Sequence, residues 1–334
     1  MEITIRDIAK MAKVAPSTVS RALNNKGRMS DATRERIRQL ARELGYHPNI
    51  NAKGLATNKT GNIGIVINKR HRPESFYDFY GTIIMGVEEV IEKQGYHLIF
   101  SSTDGGPSVP RCVEERRVDG LILMGCDISE ELVLLLRDNQ VPLVLVDNHV
   151  EGVDSVAIDN VGGAYKAVEY LIRLGHRKIG FIAERLSDLS FEERFEGYKL
   201  ALKEYGLQYD PDLVAEGLTP PDHGYVAMKN LLKRGTPPAV FAANDSTAAG
   251  AIKAIKENGL RVPDDIAVIG FDDGPTALHT VPLLTTVKVF REKMARVAAK
   301  RLMELIENPD QPPIQLRLST ELIIRESCGG GRKH

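Results

Sequence analysis

The residues best placed to do chemistry fall into two sets that ask for different partners. The first is Ser17, Thr18 and Arg21, three hydrogen-bonding side chains within one short stretch near the N-terminus. Arginine presents two parallel donors to guanine O6 and N7, and serine and threonine reach base edges or phosphate, so this set suits DNA. The second set stands at the ends of apolar runs: Asp147 after 143–146, Asn244-Asp245 after 240–243, and Asp272-Asp273 after 266–271. Carboxylates accept several hydroxyl donors at once, which suits a polyhydroxylated ligand. Arg194, in the EERFEGY run, adds a planar fork of donors, and Phe79 and Tyr80 offer flat apolar faces to a sugar ring or a base. Taken singly, each of these residues also reads as a helix cap, an ion-pair partner or core.

Catalytic signatures are missing. There is no GxGxxG after a strand, no GxxxxGK[ST], no GxSxG and no HExxH. The Asp272-Asp273 pair invites comparison with a glycosidase, but adjacent side chains diverge and no catalytic partner for them is evident. The 8 histidines show no metal spacing. Cys112, Cys126 and Cys328 form an odd set without CxxC spacing, as expected of free thiols in a reducing cytosol. No catalytic residue, metal or cofactor is expected; the chain reads as one that binds without turnover.

The elements that carry the first set follow from periodicity. Thr4-Ile5-Arg6-Asp7 has capping-box spacing, and Ile5, Ile8, Ala9 and Ala12 then form one apolar face at i, i+3, i+4 and i+7. Lys13-Val14-Ala15 breaks the pattern before Pro16, a residue favoured in a first helical turn. A second helix over 16–24 turns Val19, Ala22 and Leu23 inward and leaves Ser17, Thr18 and Arg21 outside. A third starts at Ser30, carries Ile37, Leu40, Ala41 and Leu44 on one face, and stops at Gly45. Three short helices with a tight turn between the first two make a helix-turn-helix. Charge is consistent with that reading: residues 1–60 hold 12 Lys/Arg against 5 Asp/Glu, a net of +7, while the remainder holds 32 against 40, a net of −8. A basic head on an acidic body suits a polyanion, although a solvated structural unit has the same charge.

The runs IRDIA, PSTVSRALN and LGYHPN closely resemble the LacI/GalR family of bacterial repressors, and the resemblance continues to about Arg325. It implies operator DNA as a partner and places Thr4, Ile5, Pro16, Ser20, Asn24 and Asn49 at the DNA beside Ser17, Thr18 and Arg21. Residues 49–60 are polar, with Ala52, Leu55 and Ala56 at helical spacing. By themselves they read as a linker, because an isolated helix this short is marginal in water. The resemblance implies instead a hinge helix ordered on the operator, with Leu55 wedged into the minor groove and Ala52 and Lys53 alongside. One departure stands out. Where the family's turn carries Gly and then a capping Ser, this chain has Lys13 and Ala15, and a missing cap costs about 1 kcal/mol.

Beyond residue 60, apolar runs at 63–67, 97–100, 120–124, 143–146, 179–182, 240–243 and 266–271 alternate with helical patterns such as 81–92, 161–174, 191–205 and 248–258. Such alternation means parallel sheets covered by helices on both faces, and its length is that of two lobes. The expected fold class is α/β: an N-terminal helix-turn-helix head plus a two-lobed, doubly wound parallel-sheet core. Ligands in such sheets bind beyond the carboxyl ends of the strands, where the second set stands. The landmarks LGHRKIGFI, ERFEGYKLAL, VFAANDSTAAGAIKAIKENGLRVPDDIAVIGFDD and LLTTVK extend the resemblance, which implies a core similar to periplasmic sugar-binding proteins. By that resemblance Arg194 and Asp272 grip an effector's hydroxyls, Asn244 and Asp147 add contacts, and Ser190 and Tyr80 line the wall. Met124, Thr219 and Val289 stand at further pocket positions. Between 103 and 118 the chain is about one helical turn shorter than the family pattern. It also holds Pro107 and Pro110 there, so a broken helix is expected.

The domains expected are 1–46 (head), 47–60 (hinge), 61–160 with 290–322 (first lobe), 161–289 with 323–328 (second lobe) and a tail at 329–334. The function expected is a cytoplasmic, nucleoid-associated transcription regulator, a repressor, bound to near-palindromic double-stranded operator DNA. Its effector is a sugar or sugar derivative, with a purine or a partner protein as alternatives. A solute-binding protein for uptake shares the core, but the head and the absence of an export signal in MEITIRDIAK count against it. No run approaches the roughly 18–20 apolar residues that span a bilayer, so no membrane partner is expected. After Glu326 the chain ends in SCGGGRKH without leucine heptads, which points to a homodimer rather than a tetramer.

Overall fold

The structure, a computed structural model, describes residues 3–23, 25, 27–46, 59–69, 75–217 and 222–330. The chain separates into two compact units, 1–60 and 61–334.

The first unit is built from α1 (Ile5–Ala12), α2 (Pro16–Leu23) and α3 (Asp31–Glu43). The capping box forms as its spacing predicts: the Asp7 backbone N–H donates to Thr4 Oγ1 at 3.4 Å and the Thr4 N–H to Asp7 Oδ2 at 2.9 Å. α1 ends at Lys13, whose φ of 54° is left-handed, a conformation that favours glycine. Ala15 receives the first backbone bond of α2 on its carbonyl (Thr18 N, 2.8 Å) but has no side-chain acceptor to offer. Ser30 caps α3 by accepting from the Thr33 N–H at 3.2 Å. Ile8, Val19, Ala22 and Ile37 meet in a small buried core with Ala9, Ala12 and Ala41. The loop before α3 is tied down by Arg34, which donates to the Asn25 side chain at 3.3 Å and to the Gly27 carbonyl at 3.2 Å.

The second unit opens with β1 (Asn62–Asn68), α4 (Ser75–Glu92), β2 (His97–Thr103), α5 (Arg111–Glu114), β3 (Gly120–Met124), α6 (Glu130–Asp138), β4 (Leu143–Val146) and β5 (Ser155–Ile158). It continues with α7 (Asn160–Arg173), β6 (Ile179–Ala183), α8 (Leu189–Glu204), β7 (Val214–Glu216), α9 (His223–Arg234), β8 (Ala239–Ala242) and α10 (Asp245–Glu257). Last come β9 (Ala267–Asp272), β10 (Thr285–Lys288), α11 (Arg291–Glu307), β11 (Gln315–Leu318) and β12 (Glu321–Ile323). The strands form two sheets, in the orders β11-β5-β4-β3-β1-β2 and β12-β10-β9-β8-β6-β7. Every ladder is parallel except β10 with β12. β3, β4, β6 and β8 are buried along their whole length, which is why they read as unbroken apolar runs rather than alternating ones.

Among the described residues the chain passes between the sheets three times: from β5 into α7, from β10 into α11, and through residues 319 and 320 between β11 and β12. The last passage corrects a boundary. Residues 321 and 322, assigned by sequence to the first lobe, pair with Lys288 and Val287 in the second sheet. In each sheet the chain order reverses beside the first strand, between β1 and β3 and between β6 and β8, and ligand crevices open at such switch points. The stretch from 103 to 118 holds only the four-residue α5, preceded by Pro110 in an extended conformation that starts rather than continues a helix. Among the described residues no helix is long and apolar enough to cross a membrane.

Candidate functional site

α2 brings the head's polar set together. Val19 and Ala22 are buried beneath it, Pro16, Ser17 and Arg21 are exposed, and Thr18 and Ser20 are half-buried. Ser17 and Arg21 are four residues apart and Thr18 and Arg21 three, so the hydroxyls and the guanidinium share one face. The Arg21 stem lies against Gly27, where a Cβ would come within 3.0 Å of Arg21 Cδ and where φ is 76°. The left-handed φ is what calls for glycine there. Thr4 is exposed, but its hydroxyl donates to Asp7 at 2.6 Å and is spent on the cap. That bond is the main reason the Asp7 carboxyl sits below its ordinary range. Ile5 packs partly against the head core. Asn24, Asn49, Ala52, Lys53 and Leu55 lie outside the described residues.

In the second unit the strand-end acids leave the extended conformation where their strands stop: φ is 58° at Asp147, 117° at Asp272 and 53° at Asp273. Positive φ at three non-glycine residues in one region is strain of the kind that accumulates at binding sites. Asp147 is buried and accepts from the Tyr80 hydroxyl and the Ser190 hydroxyl, each at 3.3 Å. Tyr80 belongs to α4 beside the first sheet and Ser190 to α8 beside the second, so Asp147 joins the two lobes. Burial, with the Asp272 carboxylate nearby, pushes the Asp147 pKa up to about 6, against the opposing pull of Arg194. Burial also holds the Tyr80 hydroxyl well above its usual range. Burial, then Asp147, pushes the Cys126 thiol up to about 12, leaving it protonated and unreactive.

Arg194 is the centre of the site. Its guanidinium is 3% exposed, pairs with Asp272 Oδ1 at 3.2 Å, donates to Asn160 Oδ1 at 2.9 Å and to the Ala243 carbonyl, and lies 3.8 Å from the centroid of the Phe271 ring. Asp273 turns away to Arg325 at 2.6 Å, so the adjacent carboxylates serve different partners. Beneath the turn, buried Asp245 accepts from the Gly274 N–H at 2.9 Å and from the Thr286 hydroxyl. Burial and Asp272 hold its pKa well above the ordinary carboxylate range.

The structure thus gathers Tyr80, Asp147, Ser190, Arg194 and Asp272 into one polar cluster. Asn244 is placed differently: its side-chain oxygen caps α10, accepting from the Thr247 N–H at 2.8 Å. Phe79 is half-buried, with its ring 5.0 Å from that of Tyr80 and the Arg291 guanidinium 6.0 Å away. Met124 and Val289 are core, and Thr219 lies outside the described residues. Sequence reasoning passed over Asn160, Cys126 and Phe271 as parts of the site. Asn160 had the same signal as the others, a polar residue just after a short apolar run, but SVAI was not read as a strand. A surface cavity of about 410 Å³ lined by Arg177, Lys178, Tyr198 and Tyr209 sits at the start of β6, the opposite strand end, and includes none of the site residues.

The family described as bacterial regulatory proteins, lacI family, matches residues 4–49, and a periplasmic binding protein-like domain matches residues 168–328. The chain is 36% identical over 329 residues to the probable HTH-type transcriptional repressor ExuR of Bacillus subtilis (strain 168), covering 97% of this chain and 98% of that one. The chain belongs to the LacI family. Among solved structures it is similar to the transcriptional regulator CelR in complex with cellobiose, with 33% identity, a TM-score of 0.71, and coverage of 98% of this chain and 100% of that one. The lac repressor dimer bound to operator and the anti-inducer ONPF matches at 25% identity and a TM-score of 0.82, covering 98% and 99% of the two chains. The relatives are transcription regulators rather than enzymes. This LacI-family chain is accordingly a helix-turn-helix transcription regulator with a two-lobed α/β core that responds to a ligand.

Proposed function

We propose that the chain is a cytoplasmic repressor whose grip on DNA is set by a sugar or sugar derivative bound among Arg194, Asp272, Asp147, Tyr80 and Ser190, without turnover. The observation that carries the reading is the cluster itself. Two strand-end carboxylates, Asp147 and Asp272, flank a single guanidinium that is already paired. Such a site is rich in acceptors and poor in spare positive charge, which favours a ligand with many hydroxyl donors over an anion. Asn244 can add its amide N–H groups, and Phe79 an apolar wall. A CelR relative complexed with cellobiose supports the same ligand class.

On the DNA side, Ser17, Thr18 and Arg21 read the major groove, with Thr4, Ile5, Pro16, Ser20, Asn24 and Asn49 placing the head, and Leu55 with Ala52 and Lys53 enters the minor groove. Two copies pair through their cores, so two heads meet a near-palindromic site. Exposed Leu278, Val281 and Leu283 in the second lobe and Met85 on α4 supply apolar surface for that pairing, and the related lac repressor is a dimer on its operator. We take residues 47–60 as the hinge between head and core. A ligand changes DNA affinity only by binding the two lobe arrangements unequally. Isothermal calorimetry against neutral mono- and disaccharides including cellobiose, uronic acids, sugar phosphates and purines tests the reading. A sugar or sugar derivative that binds the chain, fails to bind Asp272→Ala and shifts operator affinity is the expected result; binding confined to purines would overturn it.

A further inference from the structure

Arg194 is not held by Asp272 alone. Its Nε donates to Asn160 Oδ1 at 2.9 Å, Asn160 Nδ2 donates to Glu193 Oε2 at 2.8 Å, and Glu193 Oε1 accepts from Arg317 at 3.0 Å. With the Arg194–Asp272 pair, the line Asp272–Arg194–Asn160–Glu193–Arg317 is unbroken. Its course through the fold matters. Asp272, Arg194 and Glu193 belong to the second lobe; Asn160 opens α7 where the chain leaves β5; Arg317 is on β11, the edge strand of the first sheet, just before the chain crosses back. The line starts at the effector grip and ends on the other lobe, touching two of the three passages between sheets.

An amide is the side chain that fits the middle position. It offers an oxygen to the guanidinium and an N–H to the carboxylate, whereas Asp could serve only the first and an apolar residue neither. Asn160 is 2% exposed, so its orientation is set by these two neighbours rather than by water. The Glu193–Arg317 end is looser: the Arg317 side chain is half exposed, which suits a contact that breaks and re-forms.

We propose that Asn160 and Glu193 are positioning residues that couple the effector grip of Arg194 to the placement of the first lobe through Arg317, an inference that rests on the reading of Arg194 and Asp272 as effector contacts. A ligand that shifts the guanidinium re-aims Asn160 and then Glu193. The contact with Arg317 is kept in one lobe arrangement and lost in the other, which gives the ligand unequal affinity for the two.

Hydrogen–deuterium exchange of the full-length chain without ligand reads the line. Arg194→Lys keeps the charge but loses the Nε donor, and exchange at 315–318 is expected to rise about threefold or more. In a Glu193→Gln background the same substitution is expected to leave 315–318 as it was, because the line is already cut. Asn160→Asp keeps an acceptor for Arg194 but sets a carboxylate against Glu193, so β11 should lose protection while the start of α8 retains it. Unchanged exchange at 315–318 in Arg194→Lys, with the start of α8 altered, overturns the coupling. Should Arg194→Lys fail to fold, Asn160→Asp decides, because it leaves both partners of the Glu193–Arg317 contact in place: exchange at 315–318 rises if the line carries coupling and stays put if it does not. No ligand enters this measurement, so failure of the sugar reading, seen by calorimetry, is distinguished from failure of the coupling.

Discussion

The head and the core present their functional groups in opposite ways. On α2, Arg21 and Ser17 are exposed on a face whose other side is packed, and each can be altered with little effect on the fold. In the core, Arg194, Asp147 and Ser190 are buried among one another and contribute to structure as well as to recognition. DNA is a large, rigid polyanion that a protein meets from outside, whereas a small ligand must be surrounded, so its contacts must be desolvated before it arrives. The head therefore separates stability from function, and the core cannot.

The largest expected effect tests that claim directly. Arg194→Ala leaves Asp272 and Asn160 facing a void, and removing one partner of a buried pair costs about 3–5 kcal/mol, to be read from urea denaturation of the core. A loss below about 1 kcal/mol would show that the core site is as dispensable to folding as the head's face. Next comes Asp147. Its pKa is raised from 3.8 to about 6, so the folded protein holds that proton more tightly than the unfolded chain does. Stability is then full below pH ~4, falls as pH rises to about 6, and is level beyond, a loss of about 2–3 kcal/mol. Asp147→Asn, which also tolerates positive φ, should remove that decline; a pH-independent difference between the two proteins from pH 4 to 7 would sink the assignment.

Smaller effects belong to the head. Arg21→Ala should leave thermal stability within about 0.5 kcal/mol yet weaken binding to a selected operator by about 1–3 kcal/mol in fluorescence anisotropy. An equal loss on every DNA sequence would make Arg21 a phosphate contact instead. Smallest is the turn between α1 and α2. Lys13→Gly relieves the left-handed φ and Ala15→Ser supplies a cap, each contributing about 1 kcal/mol that hydrogen exchange in α1 and α2 should show as greater protection. No gain would mean that Pro16 already fixes the turn.

Legibility from sequence divided along the same line. The head was readable almost residue by residue, because three short helices write their packing into local periodicity: Ile8, Val19, Ala22 and Ile37 are inward in both readings. The core's alternation of strands and helices was equally plain, and the strand-end positions of Asp147 and Asp272 followed from it. Partners did not. Asn244 was read as a pocket contact, and its side-chain oxygen caps α10. Tyr80 was read as a flat face, and its hydroxyl goes to Asp147. Asn160 stands 34 residues from Arg194, and nothing local joins them. The last passage between the lobes was expected after residue 322 and lies at 319 and 320, because β12 is short and pairs antiparallel at the edge of a sheet otherwise built in parallel.

The sequence by itself determined which residues lie on which face of which element, since helical and strand periods are properties of the local backbone, and it determined the family through runs that are contiguous in the chain. Only the tertiary structure decided that Asp272, Arg194, Asn160, Glu193 and Arg317 form one line between two lobes. Their contacts join positions from 160 to 317 through a crossing of the chain that no local pattern encodes. Hydrogen bonds reach about 3 Å regardless of separation along the chain, and folding alone sets which groups come within that reach.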